Sequence, residues 1–216
     1  MASIQQEALT IGRLDLPAVL SLPATPRGVV VFVHGSGSSR LSPRNLGVAA
    51  QFNVQGLATL LFDLLNDAEA AARRKVFDIE LLAGRVHDAV LRLRGHAVAA
   101  ALPLGLFGAS TGAAAALREA AAHPAMVAAV VSRGGRPDLA GAALESVRAP
   151  TLLIVGGDDR EVLALNQLAL ARLSCPRQLG IVPGATHLFE EAGALDRVAQ
   201  LAGAWFLAHF APPATP

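Results

Sequence analysis

The chain has 216 residues, 53% of them hydrophobic, and a formal net charge of +1, which together predict a single domain over residues 1–216. The balanced charge gives no electrostatic basis for binding nucleic acid or an anionic membrane, and no apolar run is long enough to span a bilayer. One cysteine, Cys175, leaves no pair for an internal disulfide, and no pair of the six histidines has a zinc-binding helical spacing, so we expect neither a metal nor a cofactor.

The first 25 residues predict an antiparallel hairpin at the edge of a sheet, with strands at about 5–11 and 14–20. They lack the basic and apolar regions of a signal peptide, so we expect a cytoplasmic protein. Six later runs of consecutive apolar residues suit strands of a parallel sheet that is covered on both faces. These runs are 28–35, 57–64, 102–109, 126–133, 151–157 and 177–184.

The stretches between these runs predict helices, the first of which has Ser42 as N-cap and Pro43 at its first position. The other helices are predicted at 77–95, 111–122, 161–173 and 193–210. Strand and helix alternate from residue 28 onwards, which is the pattern of a mostly parallel, doubly wound α/β sheet. Residues 72–75 are predicted to be a solvent-exposed loop, and 211–216 a frayed tail after a core of about 5–210.

Ser110 lies in the sequence Gly-Ala-Ser-Thr-Gly, between a predicted strand and a predicted helix. A serine on such a sharp turn needs small neighbours, Gly108 and Gly112, so that the strand and the helix can approach closely. Ligands of open α/β sheets bind at the carboxyl ends of the strands, where this turn lies. We therefore interpret Ser110 as a nucleophile rather than as an ordinary polar turn residue.

A serine hydroxyl needs a general base, and the base needs an acid that orients it. His187 follows the last predicted strand and is the predicted base. The preceding strand ends in Gly-Gly-Asp-Asp, from which we prefer Asp159 as the acid, with Asp158 as the alternative. Glu190 and Glu191 are expected in the first turn of the last helix, where its dipole favours carboxylates.

Two backbone N–H groups are predicted to stabilise an oxyanion. Thr111 follows Ser110 at the start of a helix, and Ser36 lies in the Gly/Ser-rich loop after the strand at 28–35. The alternative interpretation of the loop that contains Ser36 is an ordinary turn between a strand and a helix.

Arginines near the same edge of the sheet are candidate substrate-binding residues. Arg40 and Arg44 flank the start of the first helix, where a cation opposes the helix dipole. Arg44 is therefore expected either to form a salt bridge to Asp63 or Asp67 or to join a site that binds a carboxylate or phosphate of a substrate. In the second case, strand-end arginines could join the same anion site, namely Arg133 and Arg136.

Four segments resemble successive motifs of the α/β-hydrolase family, in order and in spacing. They are VVFVHGSGSSRLSPRN, GLFGASTG, TLLIVGGDD and VPGATHLFEE. Over about residues 5–210 the chain is similar to the dienelactone hydrolase-like branch, and in particular to small bacterial members that occur alone or fused to a phosphoribosyltransferase domain. The resemblance implies an α/β-hydrolase fold, and we expect no room for that second domain in this chain.

Two departures from the family narrow the expected substrate. Dienelactone hydrolases proper use a cysteine nucleophile, whereas this chain has Ser110, so dienelactone itself is not the expected substrate. Only 16 residues, 135–150, lie where many relatives insert a helical cap, so we expect no cap domain. An open site would suit small or medium soluble esters.

We therefore predict a serine carboxylesterase that acts through an acyl-enzyme, as a monomer or homodimer whose partner is a small-molecule ester. Two alternatives stay open. One is a hydrolase-fold receptor or interaction module without turnover. The other is an acyltransferase that uses the same catalytic residues.

Overall fold

A computed structural model describes residues 4–210, and the tail predicted at 211–216 lies outside them. One sheet of eight strands organises this part of the chain, in the order β1-β2-β4-β3-β5-β6-β7-β8. The strands are β1 (Ile4–Ile11), β2 (Leu16–Pro23), β3 (Val29–Val33), β4 (Ala58–Phe62), β5 (Leu104–Ala109), β6 (Ala129–Arg133), β7 (Thr151–Gly156) and β8 (Arg177–Val182).

The sheet is parallel except at its N-terminal edge. Strand β1 pairs antiparallel with β2, and β2 pairs antiparallel with β4, whereas all pairs from β4 to β8 are parallel. Every residue of β3 to β7 is buried, which is why their sequences are apolar at consecutive positions. The second hairpin strand begins at Leu16 rather than at residue 14 because a turn occupies the preceding residues. The predicted fold class is confirmed.

Seven α-helices connect or flank the strands in the described chain. They are α1 (Pro43–Val54), α2 (Asp67–Ala70), α3 (Arg73–Val76), α4 (Ile79–Arg94), α5 (Thr111–Ala122), α6 (Arg160–Arg172) and α7 (Ala194–His209). The prediction of a loop at 72–75 was wrong, because α3 occupies most of these residues. Lys75 of α3 donates to the buried carboxylate of Glu69 at 3.1 Å, and this contact ties the segment to α2.

The helices cover the two faces of the sheet with separate apolar layers. Helices α4, α5 and α6 pack on one face, and α1 and α7 pack on the other. Four rings with centroids 4.9–5.8 Å apart form the centre of the second layer: Phe32, Phe52, Phe107 and Phe206. The described chain between β6 and β7 holds only a 3₁₀ segment, Pro137–Ser146, so no cap domain is inserted there, as predicted. In residues 4–210, no helix combines the length and the apolar character that crossing a bilayer requires.

Candidate active site

Ser110 lies on a strained turn between the central strand β5 and helix α5. Its backbone has φ +49° and ψ −124°, a region that non-glycine residues rarely adopt. A side chain at Gly112 would overlap the carbonyl oxygens of Val33 and His34, and one at Gly108 would overlap the backbone of α5. Gly112 therefore lets the start of α5 lie directly against the end of β3, and Gly108 lets it lie directly against β5.

The loops that follow β3 and β6 flank Ser110 on its two sides. Gly108 of β5 is in register with Val33 of β3, and Ala109 is in register with Arg133 of β6. The N–H of Arg136, in the loop after β6, donates to the Ser110 carbonyl at 3.0 Å. The Ser110 turn is therefore fixed by its neighbours at the carboxyl edge of the sheet.

His187 and Asp159 meet at the same edge, from the loops that follow β8 and β7. His187 Nδ1 lies 2.7 Å from Asp159 Oδ2, and the two side chains are 40% and 14% exposed. Asp158 is exposed, and its backbone N–H donates to the Ala185 carbonyl at 3.0 Å. Of the two adjacent aspartates, Asp159 is the one that contacts the imidazole. The contact is made through Nδ1, so Asp159 does not occupy the other ring nitrogen of His187, Nε2.

The imidazole of His187 lies beside the loop that follows β6, and this loop also flanks Ser110. Its ring lies next to Gly134, the residue after β6. Between residues 4 and 210, no hydrogen bond connects the Ser110 hydroxyl to His187. Such contacts are often long in a protein without substrate and shorten only when substrate is bound.

The loop that carries His187 is held in shape by side chains around it. Thr186 donates to Glu191 Oε1 through its backbone N–H (3.0 Å) and its hydroxyl (2.6 Å), and this hydroxyl lowers the pKa of Glu191. Phe189 is buried with φ +56°, another strained backbone position near the site. The loop is thus fixed at both sides of His187.

The prediction that Glu190 and Glu191 lie in the first turn of the last helix was wrong. Helix α7 begins only at Ala194, after Gly193 with φ +75°. Glu191 instead closes the His187 loop, and Glu190 accepts a hydrogen bond from Arg44 at 3.1 Å. Side-chain contacts within the loop replace the helix-dipole interaction on which the prediction relied.

The two N–H groups predicted for an oxyanion hole lie in different surroundings. Thr111 is the first residue of α5, so its N–H has no partner inside the helix. The Ser36 N–H donates to the Thr111 hydroxyl at 3.0 Å, a contact that the sequence did not indicate. The Ser36 loop turns sharply, with Gly37 at φ +68° and Ser38 N–H donating to the Gly35 carbonyl at 3.3 Å.

His34 fixes the start of this loop, a role that sequence reasoning missed. Its Nε2 accepts a hydrogen bond from the Leu64 N–H at 3.1 Å, so the proton lies on Nδ1, which donates to the Gly35 carbonyl at 2.9 Å. Burial lowers the pKa of His34, so the neutral ring that this geometry requires is favoured. The sequence signal that could have indicated this role is the position of His34, directly between a buried strand and a glycine.

Three of the four candidate arginines are paired with carboxylates. Arg40 binds Asp63 through both its backbone N–H (2.7 Å) and its guanidinium, so it takes one of the carboxylates considered for Arg44. Arg44 pairs with Glu190 instead of with either predicted aspartate. Arg136 forms two hydrogen bonds to Asp138, at 2.8 and 2.9 Å.

Arg133 differs from the other three. It is 8% exposed, and its Nε and Nη1 have no hydrogen-bond partner in the described part of the chain. Burial, and secondly the charge of Arg44, lower the pKa of Arg133 to about 10. Its guanidinium carbon lies 6.0 Å from the centre of the Phe189 ring. A buried cation with free donors therefore lies at the end of the strand next to Ser110.

A cavity of about 540 Å³ opens beside the Ser110 turn. Its lining includes Ser36, Thr111 and Arg44, together with the residues 63–65 that directly follow β4. This volume falls within the range of ordinary small-molecule sites.

Comparison with known proteins shows the family. A crystal structure of a dienelactone hydrolase from Anabaena variabilis is 50% identical, with a TM-score of 0.91 over 96% of this chain and 98% of that one. The chain belongs to the dienelactone hydrolase-like α/β-hydrolases. The family resemblance predicted from the sequence is thereby confirmed, and a hydrolase function is supported.

Two longer relatives of this dienelactone hydrolase-like protein, and one more distant structure, add to the comparison. Two Mycobacterium tuberculosis proteins, each named "Putative phosphoribosyl transferase", are 55% identical over 209 residues, which are 97% of this chain and 47% of each relative. The chain thus spans about half the length of these relatives. A thermostable carboxyl esterase from Bacillus coagulans shares the fold, with 16% identity and a TM-score of 0.74 over 98% of this chain and 100% of that one. No protein-family model matches the chain.

Proposed function

We propose that this hydrolase cleaves carboxylic esters through an acyl-enzyme on Ser110. The observation that carries the proposal is the 2.7 Å contact between His187 and Asp159 at the sheet edge where the strained turn presents Ser110. A serine after β5, a carboxylate after β7 and a histidine after β8 are the groups that nucleophilic acyl transfer requires.

In the proposed reaction, Ser110 Oγ attacks the ester carbonyl carbon while His187 Nε2 accepts the hydroxyl proton. Asp159 holds the Nδ1 side of the imidazole and stabilises the imidazolium that forms. The imidazolium then protonates the departing alkoxide, and the acyl group stays on Ser110. Water, deprotonated by His187, attacks the acyl-enzyme in a second addition, which releases the carboxylic acid and restores the Ser110 hydroxyl.

The negative oxygen of each tetrahedral intermediate is assigned to the N–H groups of Thr111 and Ser36. The Thr111 N–H lies at the positive end of α5 and has no partner in the helix. The Ser36 N–H becomes available when the Thr111 hydroxyl rotates away from it. Donors of this kind typically contribute about 2.7–4 kcal/mol each to transition-state stabilisation.

We further propose that the ester carries an anionic group, a carboxylate or a phosphate, that pairs with Arg133. A buried guanidinium without hydrogen-bond partners is costly unless a ligand uses its donors. Arg44 lies near enough to influence Arg133 and lines the adjacent cavity, so it is assigned to the rim of the same subsite. Arg40 contributes little to it, because Asp63 already neutralises its charge.

The proposal is tested with 4-nitrophenyl esters of graded acyl length, by acid quench and peptide mass spectrometry. Saturable hydrolysis, with an acyl group trapped on the Ser110 peptide, is the expected result. Binding of the esters without turnover would support the receptor alternative instead. Transfer of the acyl group to an added alcohol in preference to water would identify an acyltransferase.

A further inference from the structure

A second cluster of histidine and carboxylate side chains lies away from the proposed active site. Glu119 and His123 are one turn apart at the C-terminal end of α5, and His87 faces them from α4. Glu119 lies nine residues after Ser110, or about 13 Å along the axis of α5. The esterase chemistry proposed above uses none of these three side chains.

The contacts within this cluster are close and centred on the glutamate. Glu119 is 2% exposed, and each of its two carboxylate oxygens faces one imidazole. Oε1 lies 3.1 Å from His87 Nδ1, and Oε2 lies 3.0 Å from His123 Nδ1. The two imidazole rings stack with centroids 4.0 Å apart and planes 21° from parallel.

We propose that His87, Glu119 and His123 bind a divalent transition metal ion, for which Zn²⁺ is the best match. Two imidazoles and one carboxylate are a ligand set that zinc uses, and bond lengths near 2.0 Å place neighbouring ligand atoms about 3.3 Å apart. The observed nitrogen–oxygen distances are close to this value, and one ligand atom from each residue lies within 4.8 Å of the others.

The surroundings leave the three ligands available to a metal. Arg118, the neighbouring cation, is bound to Glu80, so it does not neutralise Glu119. Each imidazole faces Glu119 through Nδ1, so a metal bound at these atoms would replace the hydrogen bonds that Nδ1 now makes to the carboxylate. A divalent ion would supply the positive charge that a buried carboxylate requires.

The site has room for a further ligand. A cavity of about 400 Å³ adjoins the three residues, with Ala83 of α4, Ala122 of α5 and Ser146 at its walls. A tetrahedral ion with three protein ligands keeps its fourth position for water, which this cavity can hold. Because the ligands come from two helices, the bound ion would also link α4 to α5.

The test uses the full chain after dialysis against a chelator, titrated with Zn²⁺ by calorimetry. We expect one ion per chain with micromolar or tighter affinity, and a rise in the unfolding temperature when zinc is saturating. His87→Ala and His123→Ala should each weaken binding at least about 100-fold, and Glu119→Gln about 10-fold or more. His96→Ala is the matched control, because His96 also contacts a carboxylate, that of Glu7 at 2.9 Å, but in the described residues no second histidine contacts that carboxylate.

Co²⁺ added to the same wild-type protein gives a test that does not depend on the variants folding. Intense visible absorption at one equivalent, typical of four-coordinate cobalt, is expected and should disappear when zinc is added. Absence of one-to-one binding in the wild type, or zinc affinity that is unchanged in folded His87→Ala and His123→Ala proteins, would overturn the proposal. The cluster would then be a closed hydrogen-bonded group.

Discussion

The two ends of helix α5 each hold histidine and carboxylate side chains, but in opposite arrangements. At the N-terminal end, one histidine, His187, contacts Asp159, and its imidazole is 40% exposed near the strained Ser110 turn. At the C-terminal end, two histidines enclose Glu119, which is 2% exposed. A serine adjoins the first group, whereas the second adjoins only helix surfaces and a separate cavity.

The difference shows what decides the use of a histidine–carboxylate pair. One exposed imidazole oriented by one carboxylate can move a proton to or from a neighbouring nucleophile. Two imidazoles around one buried carboxylate instead bring three metal ligands together. We therefore expect changes at one end of α5 to alter acyl transfer, changes at the other end to alter zinc affinity, and neither to alter both.

The largest expected effect is that of Ser110→Ala, which removes the proposed nucleophile. By analogy with other catalytic triads, kcat for a 4-nitrophenyl ester should fall by about 10⁵–10⁶-fold. Zinc affinity measured by calorimetry should stay the same, because the change lies at the other end of α5. Ser174→Ala, at an exposed position that bonds only to the Glu145 carbonyl, is the control and should retain full activity. Activity retained in Ser110→Ala would contradict the assigned nucleophile.

Asp159→Asn should lower kcat by about 10³–10⁴-fold with little change in KM, because an amide cannot stabilise the imidazolium. The adjacent Asp158→Asn is the matched control, since Asp158 is exposed and meets the His187 loop through its backbone. Steady-state kinetics on one ester distinguish the two. A larger loss of kcat in Asp158→Asn would show that the other aspartate is the acid.

Arg133→Met should affect substrate choice rather than the chemical step. For a 4-nitrophenyl hemisuccinate, kcat/KM should fall about 10–100-fold, the value of a charge-assisted hydrogen bond. For the neutral butyrate ester of the same length it should change less than about 3-fold. Arg136→Met is the control, because Asp138 already satisfies that guanidinium. Equal losses on both esters would exclude an anion subsite at Arg133.

The smallest expected effect is on the pH dependence of stability, through His34. Its pKa is lowered mainly by burial, so below the ordinary value of about 6.5 the unfolded chain binds a proton that the folded chain does not. The contribution of His34 to stability is therefore complete above that pH and declines as the pH falls through it. Unfolding temperatures at pH 8 and pH 5.5 should differ less in His34→Gln than in the wild type, by a few degrees, about 2–4 °C per kcal/mol. An identical difference in both proteins would contradict this role.

Much of the fold could be predicted because each strand is apolar at consecutive positions and each loop begins with glycine, proline or polar residues. Parallel strands place their carboxyl ends at one edge, so Ser110, Asp159 and His187 could be assigned to one region from their positions after strands alone. The four segments that resemble α/β-hydrolase motifs occur along the chain in the same order as these residues.

Details that depend on side-chain partners could not be predicted from the sequence. The bond between the Thr111 hydroxyl and the Ser36 N–H joins residues 75 positions apart and depends on one rotamer. Glu191 lies outside the predicted helix, and its carboxylate accepts two hydrogen bonds from Thr186. Such contacts depend on distances of a few tenths of an ångström, which hydrophobic patterning does not specify.

The zinc-ligand cluster shows the same limit more clearly. Glu119 and His123 are four residues apart on one helix, a spacing that places them on one face. A pair of histidines at helical spacing does not occur in this cluster, since the second histidine, His87, comes from another helix. The packing of α4 against α5 brings it there, and neither helix sequence specifies that rotation.

The central claim is that Ser110 is an activated nucleophile, and the most direct measurement is intact mass after treatment with a fluorophosphonate, followed by peptide mapping. This probe requires no knowledge of the natural ester. We predict a single adduct on Ser110 that is lost in His187→Ala. No adduct on the folded wild-type protein, or an adduct that His187→Ala retains in full, would contradict the account.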